Sequence, residues 1–367
     1  MPLNTLTSRV AELVQQDLLP LVEKIDREGL YPEAFMRRLG ETGGYAALGS
    51  EAEGGSGLGL FAQISVIREV AKVCGATAFS VWCQSACAWY LHQTPNAAVK
   101  RYLPDVLSGK TLAGTGMSNT VKHLAGIEKH LLQAEKTEGG YIVNGMLPWV
   151  SNLGDNHIWA NTAQIGDSYV MFITGGGREG VELIRTPEFC ALEGTRTFAI
   201  KFTDVFVPDE DMLARPDQFA DFIQSIKAGF ILLQVGIGAG VIDGCLQEIA
   251  LANVGCDSNE FLDDGHAELS KRLNRAWQQT EKLAEAAWRN EANLLETLQL
   301  RLAASELSLT AAQSAVLHAG AKGYLLSSPV QRRSREAAFV AIVTPSIKHL
   351  RREISNLEFM GEGEFSI

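Results

Sequence analysis

Tyr141-Ile142-Val143-Asn144-Gly145-Met146-Leu147-Pro148-Trp149-Val150-Ser151-Asn152 is the stretch on which the fold turns. Its β-branched and aromatic residues are broken by Asn, Gly and Pro, as in strands separated by turns. Similar short runs follow: His157-Ile158-Trp159-Ala160, Tyr169 to Ile173, and Phe202 to Val207. Glycines and Asn/Asp residues punctuate them. Residues 111–214 therefore predict a β region, an antiparallel sheet or small barrel. Within it, Gly175-Gly176-Gly177 is expected to close a hairpin between Ile173 and Val181.

On both sides the apolar period lengthens to that of a helix. Upstream, Val10, Leu13, Val14, Leu18 and Val22 recur at three- and four-residue steps, and Pro32-Glu33 reads as a helix start. Downstream, Leu269, Leu273, Ala276, Thr280, Leu283 and Ala287 form one stripe, with Lys271, Arg275, Gln279 and Glu285 off it. Long helices without intervening strands predict an antiparallel bundle. The expected fold class is α+β. An all-helical domain (1–110) leads, a middle β-barrel or sandwich (111–214) follows, and a four-helix bundle (215–367) closes the chain.

Composition supports several cores and excludes some partners. Of 367 residues, 46% are hydrophobic, which is incompatible with disorder. The formal charge of −11 disfavours nucleic acid and anionic membranes as partners. The longest apolar run, Gly229 to Ile242, contains Gln234 and stops at Asp243, so no membrane span is expected. The N-terminus reads as an amphipathic helix, not a signal peptide. Six cysteines without a CxxC pair imply reduced thiols and a cytoplasmic location. Cys83 and Cys87 are expected as small buried hydrophobes. Glu53-Gly54-Gly55-Ser56-Gly57-Leu58-Gly59 reads as a sharp turn needing positive φ. Gly236-Ile237-Gly238-Ala239-Gly240 lacks the strand context of a dinucleotide fingerprint and reads as close helix packing. The seven histidines show no metal-ligand spacing, so no metal is expected.

Six segments, in order and at matching spacing, carry a family resemblance. They are Asp26 to Pro32; Glu53 to Gly57; Arg101-Tyr102-Leu103-Pro104 with Ser108-Gly109-Lys110; Tyr141 to Asn152; Phe202 to Pro208; and Gly320-Ala321-Lys322-Gly323-Tyr324 with Pro329 to Ala337. Together they resemble the acyl-CoA dehydrogenase superfamily over nearly the whole chain. The resemblance implies FAD between the β domain and the bundle, a small-molecule substrate such as an acyl-CoA, and a homodimer or homotetramer. It also implies an electron-transfer flavoprotein as redox partner. Met117, Ser118, Trp149, Ser151, Gly320 and Ser346 fall at its cofactor positions. Ser151 is placed at flavin N5, and Trp149 covers the ring.

Several family features are missing. The flavin loop "T-E-P-x-x-G-S-D" is replaced by Ser118 to Gly126, without its Pro, Glu or Ser-Asp pair. The arginine that anchors the partner subunit's FAD diphosphate falls on Cys256. The catalytic glutamate falls on Thr344, and the alternative stretch, Ile226 to Gly240, has no carboxylate. A hydroxyl is no base near neutral pH. His123 and His349 are the residual candidates for handling a proton. These gaps leave two other readings open. One is a two-component monooxygenase taking reduced flavin, FAD or FMN, from a separate reductase. The other is a non-catalytic member that has lost flavin. Seven Lys/Arg against one acid between Gly320 and Arg352 are expected on a solvated or interface face.

Overall fold

The computed structural model describes residues 2–185 and 188–363. The N-terminal stripe is buried: Leu6, Val10, Leu13, Val14 and Leu18 are 0–4% exposed. It runs along α1 (Leu3–Leu13), through a π-turn and a 3₁₀ turn, into α2 (Val22–Glu28). Helices α3 (Glu33–Glu41), α4 (Leu60–Ala71), α5 (Gly75–Gln93) and α6 (Leu103–Leu107) complete this part, with Pro32 at the start of α3. Between α3 and α4 the glycine-rich turn has Gly54 at φ 82° and Gly57 at φ 65°, as its sequence requires. Helix α5 is buried on all sides. Cys83 and Cys87 sit inside it as packing residues, and burial raises both thiols.

Among the described residues eight strands form one sheet: β1 (Ala113–Thr115), β2 (Leu132–Thr137), β3 (Gly140–Val150), β4 (Ile158–Ile165), β5 (Ser168–Gly175), β6 (Val181–Arg185), β7 (Phe198–Pro208) and β8 (Met212–Ala214). A short helix, α7 (Ser118–Leu124), separates β1 from β2. The strand order is β6-β7-β3-β2-β4-β5-β8, with β1 beside β4. Most pairs are antiparallel, as expected, but β1 with β4 and one contact of β2 with β4 are parallel, so the sheet is mixed. The hairpin expected at Gly175-Gly176-Gly177 is absent. Strand β8 occupies the edge of β5 that β6 would need, and β6 instead pairs with β7 at the far end of the sheet. Trp159, Phe172, Ile200 and Phe202 fill the core beneath this sheet.

The stretch that decided the fold is strand β3, paired with β7. Its register breaks twice, between Val143 and Gly145 and between Leu147 and Val150. Pro148 lies in the second break, where its missing N–H removes no ladder bond. Such irregularities re-aim side chains. The adjacent Trp149 is turned out and is 59% exposed.

Helices α8 (Phe219–Ala252), α9 (His266–Trp288), α10 (Leu294–Ala319), α11 (Pro329–Ile342) and α12 (Ile347–Gly363) make the C-terminal bundle. By length and composition α8 could cross a membrane, but 94% of its most apolar window is buried among the other helices. The Gly236–Gly240 motif is a close packing face, as read. A Cβ on Gly236 would stand 2.6 Å from the Ile64 carbonyl, and one on Gly240 would strike the Arg68 carbonyl on α4. Arg68 also pairs with Asp243 at 2.7 Å.

The arginines of α11 are not the solvated or interface face expected. Arg333 is 3% exposed, donates to the Ala71 and Lys72 carbonyls, and pairs with Glu336 at 3.0 Å. Glu336, equally buried, also accepts from Arg332 and from the Gly75 N–H. Arg335 grips Asp26 with two 2.7 Å bonds. Breaking one partner of a buried ion pair leaves an uncompensated charge and costs about 3–5 kcal/mol. Glu336→Ala should therefore lower the unfolding free energy by about that much, read from the urea midpoint at constant slope.

Candidate active site

The chemistry-bearing residues meet where the β region faces α8 and the turn between α11 and α12. Strand β1 leads into this junction. It is fixed by Gln84, which accepts from the Ala113 N–H, and by a 3.1 Å contact between Tyr90 and Thr115. Two residues beyond β1, Met117 begins α7 and is buried. The Oγ of Ser118 lies 2.8 Å from that of Thr344 on the α11–α12 turn. Gln234 of α8 donates to the Thr344 carbonyl at 2.9 Å. Behind it, the fully buried Arg301 donates to Gln234 at 3.0 Å, to the Val340 carbonyl at 2.8 Å, and to Ser305. Thr344 is thus held by its hydroxyl and its carbonyl, and no carboxylate stands at that position.

A cavity of about 110 Å³ opens beside this turn. Tyr90, Met117, Val121, Phe230, Ile231 and Pro345 make most of its apolar wall. Besides Tyr90, three ionisable side chains line it: Lys227 from α8, and His349 and Glu353 from α12. None of the three makes a hydrogen bond or ion pair among the described residues. His349 is 6% exposed, and its Nδ1 is sealed from solvent without a partner. Burial holds its pKa below the ordinary value, a shift that Lys227, Arg352 and Lys122 reinforce and Glu353 opposes.

The other residues singled out from sequence are dispersed. Ser151, 9% exposed, follows β3, and its Oγ lies 2.6 Å from that of Thr197. Its carbonyl faces Gly114 of β1, which brings it towards the Met117 end of the junction. Trp149 meets Phe189 edge to face at 6.1 Å and otherwise shows its ring to solvent. Ser346 accepts the Leu350 N–H at the start of α12, next to Pro345. Gly320 stands apart, exposed at the end of α10 with φ 57°. His123 is engaged at both nitrogens, by the Glu128 carbonyl at 3.0 Å and by Tyr169 at 2.7 Å. It holds α7 against the sheet and does not line the cavity. Lys227 and Glu353 escaped the sequence reading. The i,i+4 spacing of His349 and Glu353 was the available signal for one of them. Among the described residues no group of His, Cys, Asp and Glu could hold a metal.

The residues present fit the ring of a flavin better than its diphosphate. An exposed indole two residues from a hydroxyl suits a flat heterocycle with a polar edge. At the position of the diphosphate cation, Cys256 lies in an outer turn with its Sγ 3.5 Å from Ser258 Oγ. The loop that would carry Ser-Asp is coiled into α7.

Comparison with known proteins places the chain in a family. Residues 3–110 fit the family model "Acyl-CoA dehydrogenase, N-terminal domain", and residues 247–344 fit "Acyl-CoA dehydrogenase, C-terminal domain". Mitochondrial isovaleryl-CoA dehydrogenase of Arabidopsis thaliana is 26% identical over 254 residues, 65% of this chain and 61% of that protein. The short-chain-specific acyl-CoA dehydrogenase of Clostridium acetobutylicum is 22% identical over 365 residues, 91% of each chain. Butyryl-CoA dehydrogenase from Megasphaera elsdenii has the same fold, with TM-score 0.87 at 20% identity over 97% of this chain and 98% of that one.

His130, linked through Thr162 to Thr120 on the cavity wall, gives this region a pH dependence. Its Nε2 bonds Thr162 at 2.8 Å, and burial pulls its pKa down from 6.5 to about 4. The unfolded chain therefore binds the extra proton first. Stability from this group is full above pH 6.5 and declines as pH falls towards 4, by about 3 kcal/mol in all. Denaturation at pH 7 and pH 4.5 should show this loss in the wild type. His130→Gln should show a correspondingly smaller decline.

Proposed function

Because the chain belongs to the acyl-CoA dehydrogenase family, we propose that it is a flavin-dependent oxidoreductase of that type, acting on the CH–CH group of a small acyl thioester. The observation that carries this reading is the cavity between α7, α8 and the α11–α12 turn, apolar in most of its wall and lined by Met117 and Pro345, the chain neighbours of the paired Ser118 and Thr344. FAD is the proposed cofactor, with Trp149 and Ser151 against its ring and Met117, Ser118 and Ser346 at its border. When bound, it supplies the acceptor for the hydride that leaves Cβ. The chain's own residues bind and orient the acyl group and exclude water from it. An engineered apolar cavity of about 150 Å³ admits benzene. A 110 Å³ cavity therefore suits a short or branched acyl group.

The proposed assembly is a homo-oligomer. Leu251 in the last turn of α8, Val254 and Phe261 after it, and Tyr324, Leu325 and Leu326 after α10 are 59–84% exposed. Asn259 ties the segment after α8 to the last turn of α10 by donating to the His318 carbonyl at 3.2 Å. Large apolar side chains exposed at neighbouring helix ends suit an interface, and a second copy is the occupant the family suggests. A separate electron carrier, such as an electron-transferring flavoprotein, would reoxidise the cofactor.

A two-component monooxygenase is the second reading. Thr344 in place of a carboxylate and Cys256 in place of an arginine favour it, since such an enzyme removes no α-proton and releases its flavin.

The visible spectrum of the purified protein, with and without added FAD, tests these readings. Oxidised-flavin bands bleached anaerobically by butanoyl-CoA are the expected result. Oxygen-dependent turnover only with reduced flavin and a reductase would favour the monooxygenase. No flavin binding in either state would leave a non-catalytic member. Trp149→Ala should cut retained flavin several-fold while leaving the circular dichroism unchanged. Light scattering should show at least a dimer, and Phe261→Glu with Leu326→Glu should shift it towards monomer.

A further inference from the structure

Three ionisable groups without partners line one small apolar cavity, and this needs a physical reason. Burying an unpaired polar atom costs free energy, so an orphaned nitrogen such as His349 Nδ1 is uncommon in a native fold. The other ring nitrogen, Nε2, likewise makes no hydrogen bond among the described residues, but it retains accessible surface on a residue that lines the cavity. Glu353 lies one helical turn further along α12, so the two side chains share a face. Lys227 approaches from α8.

We propose that His349, supported by Glu353, does the work of the absent carboxylate and accepts the α-proton of the bound thioester at Nε2. This rests on the acyl-thioester reading above. The Cα–H bond breaks and its proton passes to Nε2. The electron pair left at Cα forms the new Cα–Cβ π bond as the Cβ hydride leaves for the oxidised flavin. The imidazole becomes imidazolium, and the carboxylate of Glu353 offsets that charge.

The surrounding charges suit an acceptor that is neutral before reaction. Lys227 on α8, Lys122 on α7 and Arg352 on α12 disfavour protonation in the resting site, and Glu353 alone favours it. The other titratable group on the wall, Tyr90, is fully buried beside Thr115 and held far above its usual range. His123 is excluded because both of its nitrogens are bonded elsewhere.

Exchange of the α-protons of methylthioacetyl-CoA with deuterated solvent tests this step in isolation. Sulfur replaces the β-carbon of this probe, so no hydride can leave. The protein as purified with its flavin should catalyse the exchange, followed by proton NMR. Two further readouts are retained flavin absorbance and the affinity for the probe. His349→Gln should slow exchange at least about 100-fold, the usual worth of a positioned general base, with affinity and flavin content little changed. Glu353→Gln should slow it less. In ¹³C-histidine spectra Glu353→Gln should move the imidazole titration to lower pH, and Lys227→Met should move it to higher pH. Exchange at the wild-type rate in folded His349→Gln would overturn the proposal. So would loss of exchange in Glu353→Gln with none in His349→Gln, which would make Glu353 the base. An imidazole titration unmoved by both neighbouring substitutions would also count against it. A wild-type protein that does not bind the probe would instead overturn the acyl-thioester reading, and the proposal with it. Binding without exchange would overturn the proposal alone.

Discussion

A buried arginine without a carboxylate organises the middle of this molecule. Arg301 of α10 is fully enclosed, and burial lowers its pKa only to about 10, so it stays charged at neutral pH. Its hydrogen bonds go to neutral acceptors: the side chain of Gln234 on α8, Ser305 on its own helix, and the carbonyl of Val340. Val340 lies in the last turn of α11, where carbonyls lack intrahelical donors and the helix dipole favours a cation. One guanidinium thereby joins three helices and fixes the end of one of them. Gln234 passes the constraint on to the Thr344 carbonyl, which sets the turn that borders the cavity.

The site inherits its form from that constraint. The α11–α12 turn is held from the bundle by Gln234 and from the β region by Ser118. Pro345 is therefore presented to the cavity as wall, and α12 starts at an angle that brings His349 and Glu353 to the same space. A second buried network, Arg333 with Glu336, docks α11 on the junction of α4 and α5. The bundle is thus fixed by charge at points where apolar packing alone would allow sliding. In both networks the polar groups are largely satisfied, the condition under which buried charge gives geometric uniqueness.

The departures from the family pattern fall on the catalytic base and on the cofactor's anchors. The position of the usual carboxylate holds a threonine engaged with Ser118, and the cofactor loop is wound into α7, with His123 tied to Tyr169. The cavity nonetheless persists and carries its own charged and titratable groups. A site that had merely decayed would give no reason for a lysine, a histidine and a glutamate to converge without pairing. Their placement on α8 and α12 changes the chemistry without disturbing the turn that Arg301 holds.

The sequence by itself determined the order of helical, β and helical regions, because periodicity is a local property that each segment declares alone. It also determined the packing role of Gly236–Gly240, the turn at Glu53–Gly59, and the absence of a carboxylate at Thr344. Strand pairing was decided only in three dimensions. The glycines after Ile173 permit a hairpin, but β8 had already taken the edge, and no local signal reports that competition. The arginines of α11 read as a surface because charge normally faces water. Their burial follows from partners more than 250 residues away in the chain: the Ala71 and Lys72 carbonyls at the end of α4 accept from Arg333, and the Gly75 N–H of α5 donates to Glu336. The cavity's ionisable groups are of the same kind. Lys227 and Glu353 are ordinary polar residues on amphipathic helices until the crossing of α8 and α12 brings them to one wall.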